Sequence, residues 1–163
     1  MSVYKKVFCS SAVTALAQSH TLNYLKQLSS LEVYVVLGEL IGEFTGKNMG
    51  YRVLSDGKIE TSNQGTGKIL GMQAFIMSTA LSTMANGVFM GEVNSLITLM
   101  DGSGVMLRGN AVSWQGGKGG VTRAASIQTT HSEKLQRLVK VVLVHEYETD
   151  EMGNWVGKIW EWK

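Results

Sequence analysis

Three dipeptides constrain this chain more than any other feature: Asp56-Gly57, Asn86-Gly87 and Asp101-Gly102. Asn, Asp and Gly accept the positive φ that the central positions of a tight hairpin demand, so each pair marks a reversal between antiparallel strands. Gly116-Gly117-Lys118-Gly119-Gly120 marks another reversal, and Asp150 to Asn154 one more. The strands between these marks are expected near 31–44, 48–55, 58–63, 67–84, 88–100, 104–115, 121–129, 138–149 and 155–162, with one helical turn over Ser132–Leu138. Short connections leave no room for the crossover helices of a parallel sheet, so the pattern reads as an antiparallel meander.

Closure of that meander follows from what is scarce and what is abundant. The chain has no proline, a residue that cannot donate to a strand ladder, and it has 19 glycines, all between Gly38 and Gly157. Gly71, Gly91 and Gly109 are read as mid-strand positions that permit the tight coiling a closed sheet needs. The expected fold class is therefore all-β: a closed antiparallel up-and-down barrel of about eight strands, with an N-terminal helix. An open sandwich is the alternative. Residues 1–30 form the helical extension and 31–163 the barrel; Val13, Leu16, Ala17, Tyr24, Leu25 and Leu28 recur at helical spacing over 11–29. That helix is expected to cover the barrel or to reach a second subunit as a swapped arm.

Around Asp101-Gly102, a two-residue turn would set even residues of one strand beside odd residues of the next. One face would then carry Val88, Met90, Glu92, Asn94, Leu96 and Thr98 with Leu107, Gly109, Ala111 and Ser113. The other would carry Phe89, Val93, Ile97 and Leu99 with Met106, Arg108, Asn110, Val112 and Trp114. Both faces mix polar with apolar groups, which points either to polar groups inside a cavity or to apolar groups at a subunit contact.

Several chemistries are excluded. The net charge of +2 comes from interleaved acids and bases, so the chain lacks the basic footprint of a nucleic-acid binder. A lone cysteine, Cys9, rules out an internal disulfide and a multi-thiolate metal site, and the three histidines lack zinc-ligand spacing. Metal and cofactor are both expected to be none. His145-Glu146 sits on a strand, where neighbours face opposite ways, and His131 belongs to a loop. Gly65-Thr66-Gly67-Lys68 and the 116–120 cluster are not followed by a helix with Gly-Lys-Ser/Thr, so turn glycine is a better reading than a phosphate cradle. No run approaches a membrane-spanning helix. Lys5 and Lys6 precede a stretch, Val7–Ala17, that Ser10, Ser11 and Thr14 interrupt, which makes a poor export signal. The expected location is cytoplasmic, with no membrane partner.

The polar and aromatic candidates for a ligand site are Glu92, Asn94, Arg108, Asn110, Trp114 and Arg123. A mid-strand carboxylate such as Glu92 must be solvated, paired or functional, and Arg108 and Arg123 are mid-strand cations able to fix an anionic group. The competing reading places them on the outside in cross-strand pairs.

Gly38-Glu39 with Phe44-Thr45-Gly46, Tyr51-Arg52-Val53-Leu54, Gln64-Gly65-Thr66-Gly67, Gly87 to Glu92 and Ser132-Glu133-Lys134-Leu135 together resemble small barrels of the allene oxide cyclase-like superfamily, in an uncharacterised prokaryotic branch. The resemblance spans roughly 31–163 and rests on glycines and turn residues. It implies an eight-stranded, calycin-like barrel with a central cavity, often oligomeric, and no cofactor. In the plant cyclases the cavity guides ring closure of a fatty-acid epoxide with help from a carboxylate; this chain has no long match around that site. The leading expectation is a barrel that holds a small apolar molecule in its cavity. The rivals are a cyclase or isomerase acting on an unsaturated lipid-like substrate, which needs a buried carboxylate with a raised pKa, and a non-catalytic homo-oligomeric module.

Overall fold

The computed structural model describes residues 37–117 and 119–162. The expected N-terminal helix lies outside these residues. Eight strands follow in order: β1 (Leu37–Val53), β2 (Ile59–Ile69), β3 (Met72–Ala85), β4 (Val88–Leu99), β5 (Gly104–Gly116), β6 (Gly119–Thr130), β7 (Leu143–Asp150) and β8 (Asn154–Trp162). Each pairs antiparallel with the next, and β8 pairs antiparallel with β1, so the sheet is a closed up-and-down barrel.

The described parts of the segments expected at 31–44 and 48–55 belong to one strand, β1, whose register shifts against β2 between Asn48 and Gly50 and against β8 on either side of Leu40. The one expected at 67–84 is cut by a two-residue turn at Leu70-Gly71, where both residues have positive φ, +49° and +76°. Gly71 is thus a turn residue, not a mid-strand one. Leu-Gly is a poor signal for such a turn, because a branched side chain is disfavoured in the left-handed region. Leu70 is held there by packing against the core and by its N–H, which donates to the Ile41 carbonyl at 2.8 Å.

The Asp-Gly loops correct the register. Asn86-Gly87 makes the expected two-residue turn between Ala85 and Val88, with φ +53° and +77°. At Asp101-Gly102 the loop holds three residues: the Leu99 N–H donates to the Ser103 carbonyl at 2.7 Å, and Gly102 takes the left-handed position with φ +84°. The Asp101 carboxylate fixes this form by accepting from the Ser103 N–H at 3.0 Å and its hydroxyl at 2.6 Å. One extra loop residue flips every side chain that follows. Even residues therefore pair with even: Glu92 with Asn110, Asn94 with Arg108. The mixed faces resolve into an inner row of Phe89, Gly91, Val93, Ser95, Ile97 and Leu99 beside Val105, Leu107, Gly109, Ala111 and Ser113, and an outer row that carries all the charges.

Coiling follows from glycine where expected. A Cβ on Gly109 would lie 1.9 Å from the Ala125 carbonyl oxygen, so only glycine lets β5 approach β6 so closely. Gly91 holds the same relation to Leu81 and Ser82 on β3.

The dry core fills one end of the barrel. Ile41, Phe44, Ile69, Ile76, Ile97, Leu99, Val105, Leu107, Leu143 and Ile159 are buried there. The expected helical turn is a 3₁₀ helix, Glu133–Lys140, which packs Leu135 and Leu138 into the same core. Arg137 links it to Glu39 on β1 at 2.6 Å and to Glu161 on β8 at 3.2 Å, and Lys134 pairs with Asp101 in the β4–β5 loop. At the opposite end many inward residues are small and half-buried, among them Thr61, Ser78, Ala80, Ala111, Ser113, Thr122 and Ala124, beside the larger Phe89 and Val93.

Candidate functional site

Between the dry core and the open half lies a buried polar and aromatic cluster. Alternation along β6 turns Ser126 and Gln128 inward, along β7 His145 and Tyr147, and along β8 Trp155. Ser126 Oγ and His145 Nε2 are 2.7 Å apart. The Gln128 amide nitrogen donates to the Ser126 carbonyl at 2.7 Å and to Ser126 Oγ at 2.9 Å. The carbonyl can only accept, so it fixes which end of the Gln128 amide faces it. In the tautomer whose Nε2 accepts from the serine hydroxyl, Nδ1 carries the imidazole proton, 3.4 Å from the Tyr147 hydroxyl. His145 stacks on Tyr147 with centroids 6.1 Å apart, and Tyr147 meets Trp155 edge to face at 5.6 Å.

Local backbone shape gives the indole its seat. Gly46 and Gly65 face each other across β1 and β2, and a Cβ on either would fall 2.3 or 2.6 Å from the Trp155 ring. Gly157 leaves the same kind of space for the Tyr147 ring, at 2.2 Å.

Burial sets the charge state of the cluster. Desolvation pushes the His145 imidazole down to about 4, so it is neutral at physiological pH, and it pushes the Tyr147 phenol up. Two atoms of the network have no partner: Gln128 Oε1, an acceptor, and Trp155 Nε1, a donor. Buried polar atoms almost always find one.

All six residues singled out in the sequence lie on the outer face. Glu92, Asn94, Arg108, Asn110 and Trp114 are exposed on β4 and β5, opposite in direction to the buried Ser95, Ile97, Val105 and Leu107. The structure brings Glu92, Asn94, Arg108 and Asn110 together as adjacent cross-strand pairs. Trp114 stands apart, beside Val88. Arg123 makes a cross-strand ion pair with Glu146 at 3.3 Å, and His145, next in the chain, points inward, as strand alternation requires. Gly65-Thr66-Gly67-Lys68 lies within β2 and is not a turn, whereas 116–120 is the β5–β6 hairpin. Gly65, Thr66 and that hairpin border one surface groove, which Glu148 and Asp150 share with a single described cation, Lys47, so its charge does not favour an anion. Among the described residues no group of acids, histidines and cysteines has the arrangement of a metal site, and His131 is an exposed loop residue.

Sequence reasoning did not find Ser126, Gln128, Tyr147 or Trp155. A faint signal exists in the polar row Ser126, Gln128 and Thr130 at period two. What brings it to His145 is the β6–β7 pairing, in which Ala124 faces His145 and Ser126 faces Leu143 across an intervening loop and helix.

The class defined by this architecture is a closed eight-stranded antiparallel barrel with a polar interior cluster. Similar solved structures include a conserved protein of unknown function from Rhodopseudomonas palustris, with TM-score 0.64 and 11% identity over 77% of this chain and 96% of that one. A protein with unknown function from Clostridium acetobutylicum matches with TM-score 0.65 and 11% identity, over 77% of this chain and 97% of that one. A beta-barrel like protein from Acinetobacter baumannii matches with TM-score 0.62 and 14% identity, over 78% and 95%. These likenesses show the fold. No family model and no curated protein matches the sequence.

Proposed function

We propose that the protein binds a small, mainly apolar molecule inside the barrel, entering from the end opposite the 3₁₀ helix. The observation that carries this is the pair of unpartnered buried atoms, Gln128 Oε1 and Trp155 Nε1. Elsewhere on the inner wall hydroxyls pair with one another: Ser78 donates to Ser95 at 2.7 Å, and Ser113 pairs with Thr122 at 2.8 Å. Such a wall presents alanine and valine faces and paired hydroxyls, with a free acceptor and a free donor to fix a polar end of the guest. A ligand with a hydroxyl group at one end, which can donate to Gln128 Oε1 and accept from Trp155 Nε1, meets those needs.

The resemblance to allene oxide cyclase-like barrels belongs to this reading; its support is the closed eight-stranded meander. The cyclase version is less favoured, because it asks for an inward carboxylate of raised pKa. Glu92 is on the outside. Asp56, Asp101 and Asp150 are exposed, and each is shifted down, by Lys58, Lys134 and Asn154 respectively.

Native mass spectrometry before and after denaturation tests the proposal, followed by titration with a long-chain unsaturated fatty alcohol as probe. Release of a small molecule, or saturable probe binding weakened roughly fivefold by Trp155→Phe, is the expected result, since one hydrogen bond is worth about 1 kcal/mol. An empty barrel that takes up no probe, or binding indifferent to Trp155→Phe, would sink it.

A further inference from the structure

The outside of the barrel has two unlike halves. Across β6, β7, β8, β1 and β2 runs a ladder of alternating charge in register: Arg123, Glu146, Lys158, Glu43, Lys68. Its members pair, Arg123 with Glu146 at 3.3 Å and Lys158 with Glu43 at 4.0 Å. On β3 to β6 the outward residues are instead largely apolar, with Met77, Met90, Met106, Val112, Trp114 and Ile127 exposed. Within that face stand one acid, Glu92, and two bases, Arg108 and the Arg123 that is already paired with Glu146. Glu92 is flanked by Leu81 and Asn110, and Arg108 by Asn94 and Ile127, so neither has an opposite charge beside it across the sheet. Neither joins an ion pair among the described residues.

We infer that this face is the contact surface for a second copy of the same chain in a twofold dimer. An isologous interface must be self-complementary, and one acid beside one base is the smallest charge pattern that is. Glu92 and Arg108 are diagonal neighbours on β4 and β5. A twofold axis lying in the interface and crossing the line between them at its midpoint and at right angles sets each acid over the other copy's base, which gives two ion pairs. Asn94 and Asn110, the other diagonal, then lie near the axis, where an amide can both donate and accept across it. Methionine and tryptophan around this centre suit an interface core, and charges that would be isolated on an apolar surface become paired. An unrelated partner would have no reason to match this acid–base symmetry.

The test is a charge swap in the full chain, read by sedimentation velocity across a concentration series. The unaltered protein is expected to dimerise. Glu92→Arg and Arg108→Glu, each alone, set like charges together and should raise the dimer dissociation constant tenfold or more. Mixed in equal amounts, the two variants should re-form a heterodimer, because each then supplies what the other lacks; the double variant should dimerise by itself. Both positions are exposed, and unchanged thermal melting of each variant verifies that the fold is intact. A dimer indifferent to both single changes, or one that they disrupt without rescue on mixing, overturns the proposal. So does a monomer at every concentration, which would leave the face to another occupant, the first 36 residues of this chain included.

Discussion

His145 is 5% exposed and bonded to Ser126, and its protonation is tied directly to folding. Its folded pKa of about 4 lies below the ordinary value of 6.5, with desolvation as the cause. Between those two values the unfolded chain binds a proton that the folded chain refuses. Stability therefore rises with pH across this window and is lost as pH falls through it; below the folded value both states are charged and this group costs nothing more. The loss should amount to on the order of 3 kcal/mol, approached at about 1.4 kcal/mol per pH unit. Denaturant unfolding from about pH 7 to about pH 4.5 measures it, and His145→Gln should flatten that slope even where it lowers stability overall. The aspartates of the loops act at lower pH. Asp101 and Asp150 are held below their ordinary value, by Lys134 and Asn154 first, so the stability they contribute is present above that value and disappears as pH falls below it. These aspartates also show why chemically similar turn signals give different outcomes. The Asp150 carboxylate accepts from the N–H groups of Met152 at 2.9 Å and Asn154 at 2.8 Å, which closes a three-residue loop just as Asp101 does. Asn86 instead enters the left-handed region itself and makes a two-residue turn.

Among elements, the 3₁₀ helix separates the effect of burial from that of charge. Its ion pairs through Arg137 and Lys134 lie at the surface, where solvent weakens them, whereas Leu135 and Leu138 are fully buried. Leu138→Ala should cost about 2–5 kcal/mol by thermal or denaturant unfolding, from lost burial and the cavity left behind. Arg137→Ala should leave global stability within experimental scatter and show itself only as faster amide exchange in residues 133–140. Equal effects of the two changes would mean that charge, not packing, closes this end of the barrel. The cross-strand ladder from Arg123 to Lys68 adds little energy per pair but has a second consequence. Lysines and glutamates facing outward from four adjacent strands are the reverse of a lipid-facing belt, where each Lys or Arg would cost up to about 2–4 kcal/mol.

At the scale of the whole molecule, closure joins β1 to β8, with Leu37 opposite Trp162, so long-range pairing dominates the route to the native state. Folding should be correspondingly slow, roughly milliseconds to seconds. The chain has no proline, so the phase of tens of seconds that prolyl isomerisation produces should be absent. Double-jump refolding checks this: amplitudes should not depend on how long the protein has stayed unfolded. The meander, its eight strands and its closure are legible in the sequence, because turn glycines, capping aspartates and the lack of proline act through backbone stereochemistry within a few residues. The strand limits are less legible wherever an atypical turn such as Leu70-Gly71 is stabilised by tertiary packing. The candidate site is not legible at all. Glu92 and Arg108 stand out in the sequence as mid-strand charges, but the face they occupy depends on whether the Asp101 loop takes two residues or three, and one residue decides the direction of every side chain on the strand. Ser126, Gln128, His145 and Trp155 meet only through pairings across β6, β7 and β8, with an indole resting on Gly46 and Gly65 from two further strands. Local chain chemistry determined the barrel; what lies inside it and what lies outside were decided by register, which exists only once strands distant in sequence have paired.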